Sequence, residues 1–132
     1  MKKDFKVAVI QAHVPKSTLE GEQQVDRLVK EATSEPVDIV GLPEDCLAKF
    51  EDIKNDYDPL CYLSGIAKKY NVYLFGATLV KEGGDLYNRG FFFDREGNLI
   101  NTHDKVVLTP PEVEDGLKPN TVLKIGNSYF RD

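Results

Sequence analysis

The first forty residues alternate between two apolar patterns of different period, and this constrains the fold more than anything else in the chain. Val7, Ala8, Val9 and Ile10, inside the stretch FKVAVIQA, form a near-continuous apolar run. Such a run suits a central strand covered on both faces. Ser17 and Glu20 then make an S-x-x-E capping box, which satisfies free backbone donors at a helix start. Val25, Leu28, Val29 and Ala32 recur at helical spacing, leaving Gln23, Asp26, Arg27, Lys30 and Glu31 to water. The helix must stop before Glu35-Pro36, because a residue preceding proline is pushed out of helical geometry. Residues 37–42 (VDIVGL) read as a second short strand. Strand, helix and strand in this order predict a parallel pair with helices on one face of the sheet.

Beyond residue 42, Pro43-Glu44-Asp45-Cys46 leaves the strand as a loop, and residues 47–57 are charged and irregular. Asp58 caps a second helix with Pro59 at its first position. Leu60, Leu63, Ala67 and Tyr70 give that helix its buried face, and Asn71 can stop it in left-handed geometry. Residues 72–80, 86–93 and 99–105 are β-rich, separated by Gly83-Gly84 and Glu96-Gly97-Asn98, and predict a meander of hairpins. A proline-containing loop, residues 109–120, leads to a last apolar piece at 122–125. The expected class is α/β, one mixed sheet with two helices on one face.

At 132 residues, with 41% apolar and 30% charged, the chain has the make-up of one globular domain. A net charge of −5 with no basic stripe argues against nucleic acid as a partner. Apolar runs of only a few residues argue against a membrane span, and the start is too short and too polar for a signal peptide. Cys46 and Cys61 are too few for a disulfide scaffold and read as free thiols in a cytoplasmic protein. His13 and His103 do not make a metal set, and no helix follows Gly83-Gly84 to form a phosphate loop, so no cofactor is expected.

Three segments could carry chemistry. Glu44 directly follows a buried strand, where functional groups of open α/β sheets gather. Lys105 sits in His-Asp-Lys-Val-Val-Leu, a run that otherwise wants burial. Glu112 follows two prolines, seven positions after Lys105. Taken singly, each has an ordinary reading: a loop glutamate, an edge lysine that deters aggregation, and a solvated acid. Their order decides between the readings. Leu42-Pro43-Glu44 at a strand end, Leu86-Tyr87-Asn88 in a strand, a turn with Gly97, then Lys105 and Glu112 together resemble the nitrilase, or carbon–nitrogen hydrolase, superfamily. Val7-Ala8-Val9-Ile10-Gln11 is similar to that family's first strand, so the resemblance spans about residues 5–125.

The resemblance implies a Glu–Lys–Cys triad that makes a thioester, with Glu44 as general base, Lys105 as the triad lysine and Glu112 as the second glutamate beside it. It implies a small amide, carbamoyl compound or nitrile as substrate. The family's nucleophilic cysteine lies beyond the apolar piece at 122–125, yet no cysteine follows Cys61. Cys46, two residues from Glu44, reads as a small buried thiol, and Cys61 as a packing residue. Residues 1–132 thus read as a truncated domain lacking its C-terminal half, one half of an α-β-β-α sandwich, inactive alone. The sheet face away from the helices would then lack its cover, with candidates among Val7, Val9, Ile39, Leu74, Phe91 and Phe93. A bare apolar face of that size predicts association with a separate C-terminal half or with a second copy. The alternative is a catalytically inactive pairing module.

Overall fold

The computed structural model describes residues 4–120. Its elements run β1 (Val7–Val9), α1 (Thr18–Ala32), β2 (Ile39–Gly41), α2 (Phe50–Lys54), α3 (Pro59–Tyr70), β3 (Tyr73–Glu82), β4 (Asp85–Phe93), β5 (Leu99–Asp104) and α4 (Pro110–Glu114). The five strands form one sheet in sequence order. β1, β2 and β3 are parallel, and β3, β4 and β5 are antiparallel. The parallel part follows from the helical crossovers and the antiparallel part from the tight turns, as local sequence predicts. The apolar piece at 122–125 lies outside the described residues.

Local signals at the helix ends behave as expected. Ser17 accepts a hydrogen bond from Glu20 N–H at 3.1 Å, which is one half of the expected capping box; the Glu20 side chain does not return a bond to Ser17 N–H. The Asp58 carboxylate accepts from Leu60 and Cys61 N–H, and Asn71 closes α3 at φ 52°. Val25 and Val29 from α1 pack with Leu63, Ile66 and Ala67 from α3 against Val40, Leu74, Phe91 and Phe93 of the sheet. Ile66 joins that buried stripe, and the expected Leu60 and Tyr70 pack against it only partly buried.

Four expectations need correction. Among the described residues β1 is an edge strand of three residues, where the sequence suited a central one: Val7 and Val9 are 55% and 76% exposed, while Ile10 is buried. Leu74, Phe91 and Phe93 lie in the helix-side core, not on the open face. The register explains this, because it aligns Val7 with Ile39 and Tyr73, and Val9 with Gly41, Phe75 and Phe92. Alternation then sends Leu74 and its partner Phe93 to the other side. The irregular 47–57 segment contains α2, which Thr18 fixes by accepting from Lys49 N–H and donating to Asp52. Finally, the 109–120 segment holds α4, whose Thr109-Pro110-Pro111-Glu112 start is itself a capping box with proline at the first helical position.

Candidate active site

The loop carrying Glu44 is clamped before the side chain projects. Ile10 N–H bonds Gly41 C=O at 2.9 Å and Leu42 N–H bonds Phe75 C=O at 2.8 Å, extending the parallel pairing past β2. Asp45 then takes a left-handed φ of 58° and reverses the chain. Cys46 and Leu47 bury behind it. The Gln24 side-chain amide of α1 donates to Cys46 C=O at 3.4 Å. Gly21 lets α1 come close, since a Cβ there would sit 1.7 Å from Leu47 O. Glu44 therefore leaves a fixed loop with an exposed side chain.

Opposite it stands Asn88, in the middle of β4 and only 4% exposed. Its side-chain NH2 donates to Glu44 Oε1 and to Glu112 Oε1, the latter at 2.8 Å. Lys105, the first residue after β5, is tied to the same strand by its N–H on Asn88 C=O at 2.8 Å. Its ammonium lies 3.1 Å from Glu112 Oε1 and 3.0 Å from Oε2. Glu112 Oε2 also accepts from Thr109 N–H (2.8 Å) and Thr109 Oγ1 (3.0 Å). α4 is held to the sheet by Lys118 N–H on Leu86 C=O at 2.7 Å, beside the buried Leu117.

The structure thus brings Glu44, Lys105 and Glu112 together around one amide. The arrangement differs in one respect from two carboxylates flanking a lysine: Lys105 pairs directly with Glu112, whereas Glu44 acts on the ammonium through space and is tied in by Asn88. Asn88 is the residue to which sequence reasoning assigned no role. Its signal was composition, since asparagine is depleted in strand interiors and a buried one needs partners.

The electrostatics favour the charged forms of Glu112 and Lys105. Partial burial works against the Glu112 charge, but the donors from Thr109, Asn88 and Lys105 prevail and bring its carboxyl down to about 2. The Lys105 ammonium is held above the ordinary lysine range, first by its hydrogen bond to Glu112, against some loss of hydration, and then by the Glu44 and Asp45 charges. The fixed Lys105 ammonium can steady a developing oxyanion, and a carboxylate that does not contact it directly, such as Glu44, can take up a proton.

Neither cysteine joins the cluster as a nucleophile. Cys46 is buried, and burial pushes its thiol up to about 11, as expected of a small hydrophobe. Cys61, expected to pack, is exposed instead, because α3 turns its Leu63, Ile66 and Ala67 stripe to the core and Cys61 away from it. His103 on β5 is exposed as well.

Comparison with known proteins gives a consistent picture. The carbon-nitrogen hydrolase family model matches residues 6–129. An omega-amidase NIT2 of Danio rerio is 34% identical, the match covering 79% of this chain and 40% of that protein. The omega-amidase NIT2 of Mus musculus is 32% identical over 95% of this chain and 49% of its own length. The chain therefore spans about half the length of the curated relatives it matches. Among solved structures, a carbon-nitrogen hydrolase from Helicobacter pylori G27 superposes with a TM-score of 0.77 at 17% identity, covering 89% of this chain and 45% of that one. Saccharomyces cerevisiae Nit3, of the nitrilase superfamily, gives 0.73 at 24% identity, with 89% and 49% covered. These superpositions match the α/β architecture, and the family model carries the assignment: this chain belongs to the carbon–nitrogen hydrolase family.

Proposed function

We propose that this chain supplies the Glu44–Lys105–Glu112 side of an amidase-type site acting on small non-peptide amides, carbamoyl compounds or nitriles, with the thiol nucleophile supplied from outside these 132 residues. The observation that carries this reading is the Asn88 amide joining Glu44 to the Glu112–Lys105 pair. In this reading Glu44 takes the proton of an incoming thiol as sulfur attacks the amide carbon. The Lys105 ammonium stabilises the oxyanion of the tetrahedral intermediate, and Glu112 keeps that ammonium charged and aimed. Collapse expels ammonia or an amine, which takes up the proton held by Glu44. Water then hydrolyses the thioester and returns the thiol. The omega-amidase relatives make a small amide the first substrate class to try.

A second reading, a catalytically inactive pairing module, draws on the exposed Val7, Val9 and Phe75 on the open sheet face. Either a separate C-terminal half or a second copy of the chain would cover that face. The two free thiols fit a reducing compartment such as the cytoplasm. The test of the enzymatic reading is to mix the chain with the cysteine-bearing C-terminal half of an omega-amidase relative and measure ammonia release from small amides. Release that disappears with Lys105→Ala is the expected result. A folded mixture that releases none overturns it. Partner affinity unchanged by Lys105→Ala, without activity, favours the pairing module.

A further inference from the structure

Directly beside Asn88 and Lys105, on the two strands that carry them, stand Arg89 and Asp104. They are register partners across β4 and β5. Alternation sends their side chains to the face opposite that of Asn88 and Lys105. Arg89 Nε lies 2.6 Å from Asp104 Oδ1 and Arg89 Nη2 lies 3.0 Å from Oδ2, a two-pronged contact. The two side chains are only 13% and 5% exposed. Asn120 then donates to the same Asp104 Oδ2 at 2.8 Å. Both ends of the segment that bears Glu112 thus converge here. Its start, Lys105, follows Asp104 in the chain, and its end, Asn120, bonds to Asp104.

A buried ion pair is a poor source of net stability, because desolvation offsets most of the attraction, but its geometry is exacting and its loss is felt locally. We infer that Arg89, acting through Asp104, is a positioning residue: it clamps both ends of the 105–120 segment and so sets the Lys105–Glu112 contact on the other face of the sheet. This rests on the reading of Lys105 as a functional group for its consequence, but not for its test, which reads the lysine itself.

The groups facing the Lys105 ammonium are Glu112, Glu44 and Asp45. If the clamp is released, Glu112 drifts, the ammonium loses its closest partner, and its titration falls toward the ordinary lysine value. The experiment is Arg89→Met in the whole chain, with the Lys105 titration followed by nitrogen-labelled NMR. Its acylation rate by a small anhydride at fixed pH is followed by mass spectrometry. Each unit by which the titration falls gives about a tenfold larger free-amine fraction. The expected result is acylation about threefold or more faster at Lys105, with rates at Lys30 and Lys68 unchanged. A folded Arg89→Met chain with wild-type Lys105 titration and reactivity overturns the inference. It does so whether or not the hydrolase reading holds, since no turnover is measured. Should Arg89→Met not fold, Asn120→Ala cuts the far tie and leaves the Arg89–Asp104 pair in place. It should accelerate Lys105 acylation in the same sense and speed hydrogen exchange over 109–118, and no change in either overturns the inference.

Discussion

Asn88 and Glu112, 24 residues apart in sequence, are joined by one hydrogen bond of 2.8 Å, and the same Asn88 amide also reaches Glu44. A neutral donor between two carboxylates is what allows both acids to stand near one ammonium. Asn88→Asp replaces that donor with a third acid, and Asn88→Ala removes it. Each should lower stability by about 1–3 kcal/mol at neutral pH, the cost of leaving buried polar groups unsatisfied. The aspartate should be the worse of the two, and the gap should narrow toward pH 4 as the introduced carboxylate, crowded by two others, takes up a proton. Urea denaturation at both pH values measures this, and an aspartate variant as stable as wild type would remove the bridging role.

Glu112 makes an acid-limb prediction with a definite sign. Its folded carboxyl, at about 2, lies below the ordinary 4.5. The unfolded chain therefore binds the proton first as pH falls. The stability that Glu112 contributes is fully present above pH 4.5 and is lost progressively between there and about 2. Glu112→Gln should flatten the stability curve in that window while leaving its shape between about pH 5 and 8, below the Lys105 titration, unchanged. Parallel wild-type and variant curves from pH 5 to 2 would contradict the assignment.

Two glycines in helices should respond oppositely to alanine. At Gly21 in α1 a Cβ meets Leu47 O and C at 1.7 and 2.6 Å, both backbone atoms of the Glu44 loop. Gly21→Ala should cost about 1–3 kcal/mol through overpacking, even though alanine is the better helix former. At Gly65 in α3 nothing lies within 4 Å, and Gly65→Ala should gain up to about 1 kcal/mol. Denaturant midpoints decide both, and a neutral Gly21→Ala would mean that the loop is not pinned to α1.

The two thiols should separate kinetically. Cys61 is exposed and should react with an aromatic disulfide reagent in the native chain, while Cys46, buried and pushed up to about 11, should react only on unfolding. Cys61→Ser should abolish the fast phase. A fast phase that persists in that variant would place Cys46 in solvent and reopen it as a nucleophile.

The proposed association through the open sheet face predicts a separation of stability from assembly. Val9, at 76% exposure, faces outward on the edge strand. Val9→Lys should change the stability of the isolated chain by no more than about 0.5 kcal/mol, as surface substitutions do. It should nevertheless weaken binding of a C-terminal half or a second copy in sedimentation. Unaltered binding would direct the search for the interface elsewhere.

The limits of sequence reading are visible in particular residues. Ser17, Asp58, Pro59 and Asn71 act through neighbours a few positions away, so helix ends could be read directly from them. The glycine turns fixed the β3–β4–β5 meander in the same way. Thr109 and Glu112 carried an equally local signal for α4, obscured by the two prolines between them. Which strand face is open could not be read, because Leu74 and Phe75 are both apolar and differ only in parity. A shift of one residue in register would exchange them.

Sequence alone determined the family, the alternation of strands and helices, and the identity of Glu44, Lys105 and Glu112 as residues to watch. These depend on residue type, order and short-range spacing. Tertiary structure decided that β1 is an edge among the described residues, that Asn88 bridges the two acids, that Lys105 pairs with Glu112 directly, and that Arg89 and Asp104 meet behind them. Apart from the Lys105–Glu112 pair, these contacts join residues 15 to 44 positions apart and depend on the three-dimensional register of the strands, which no local pattern encodes.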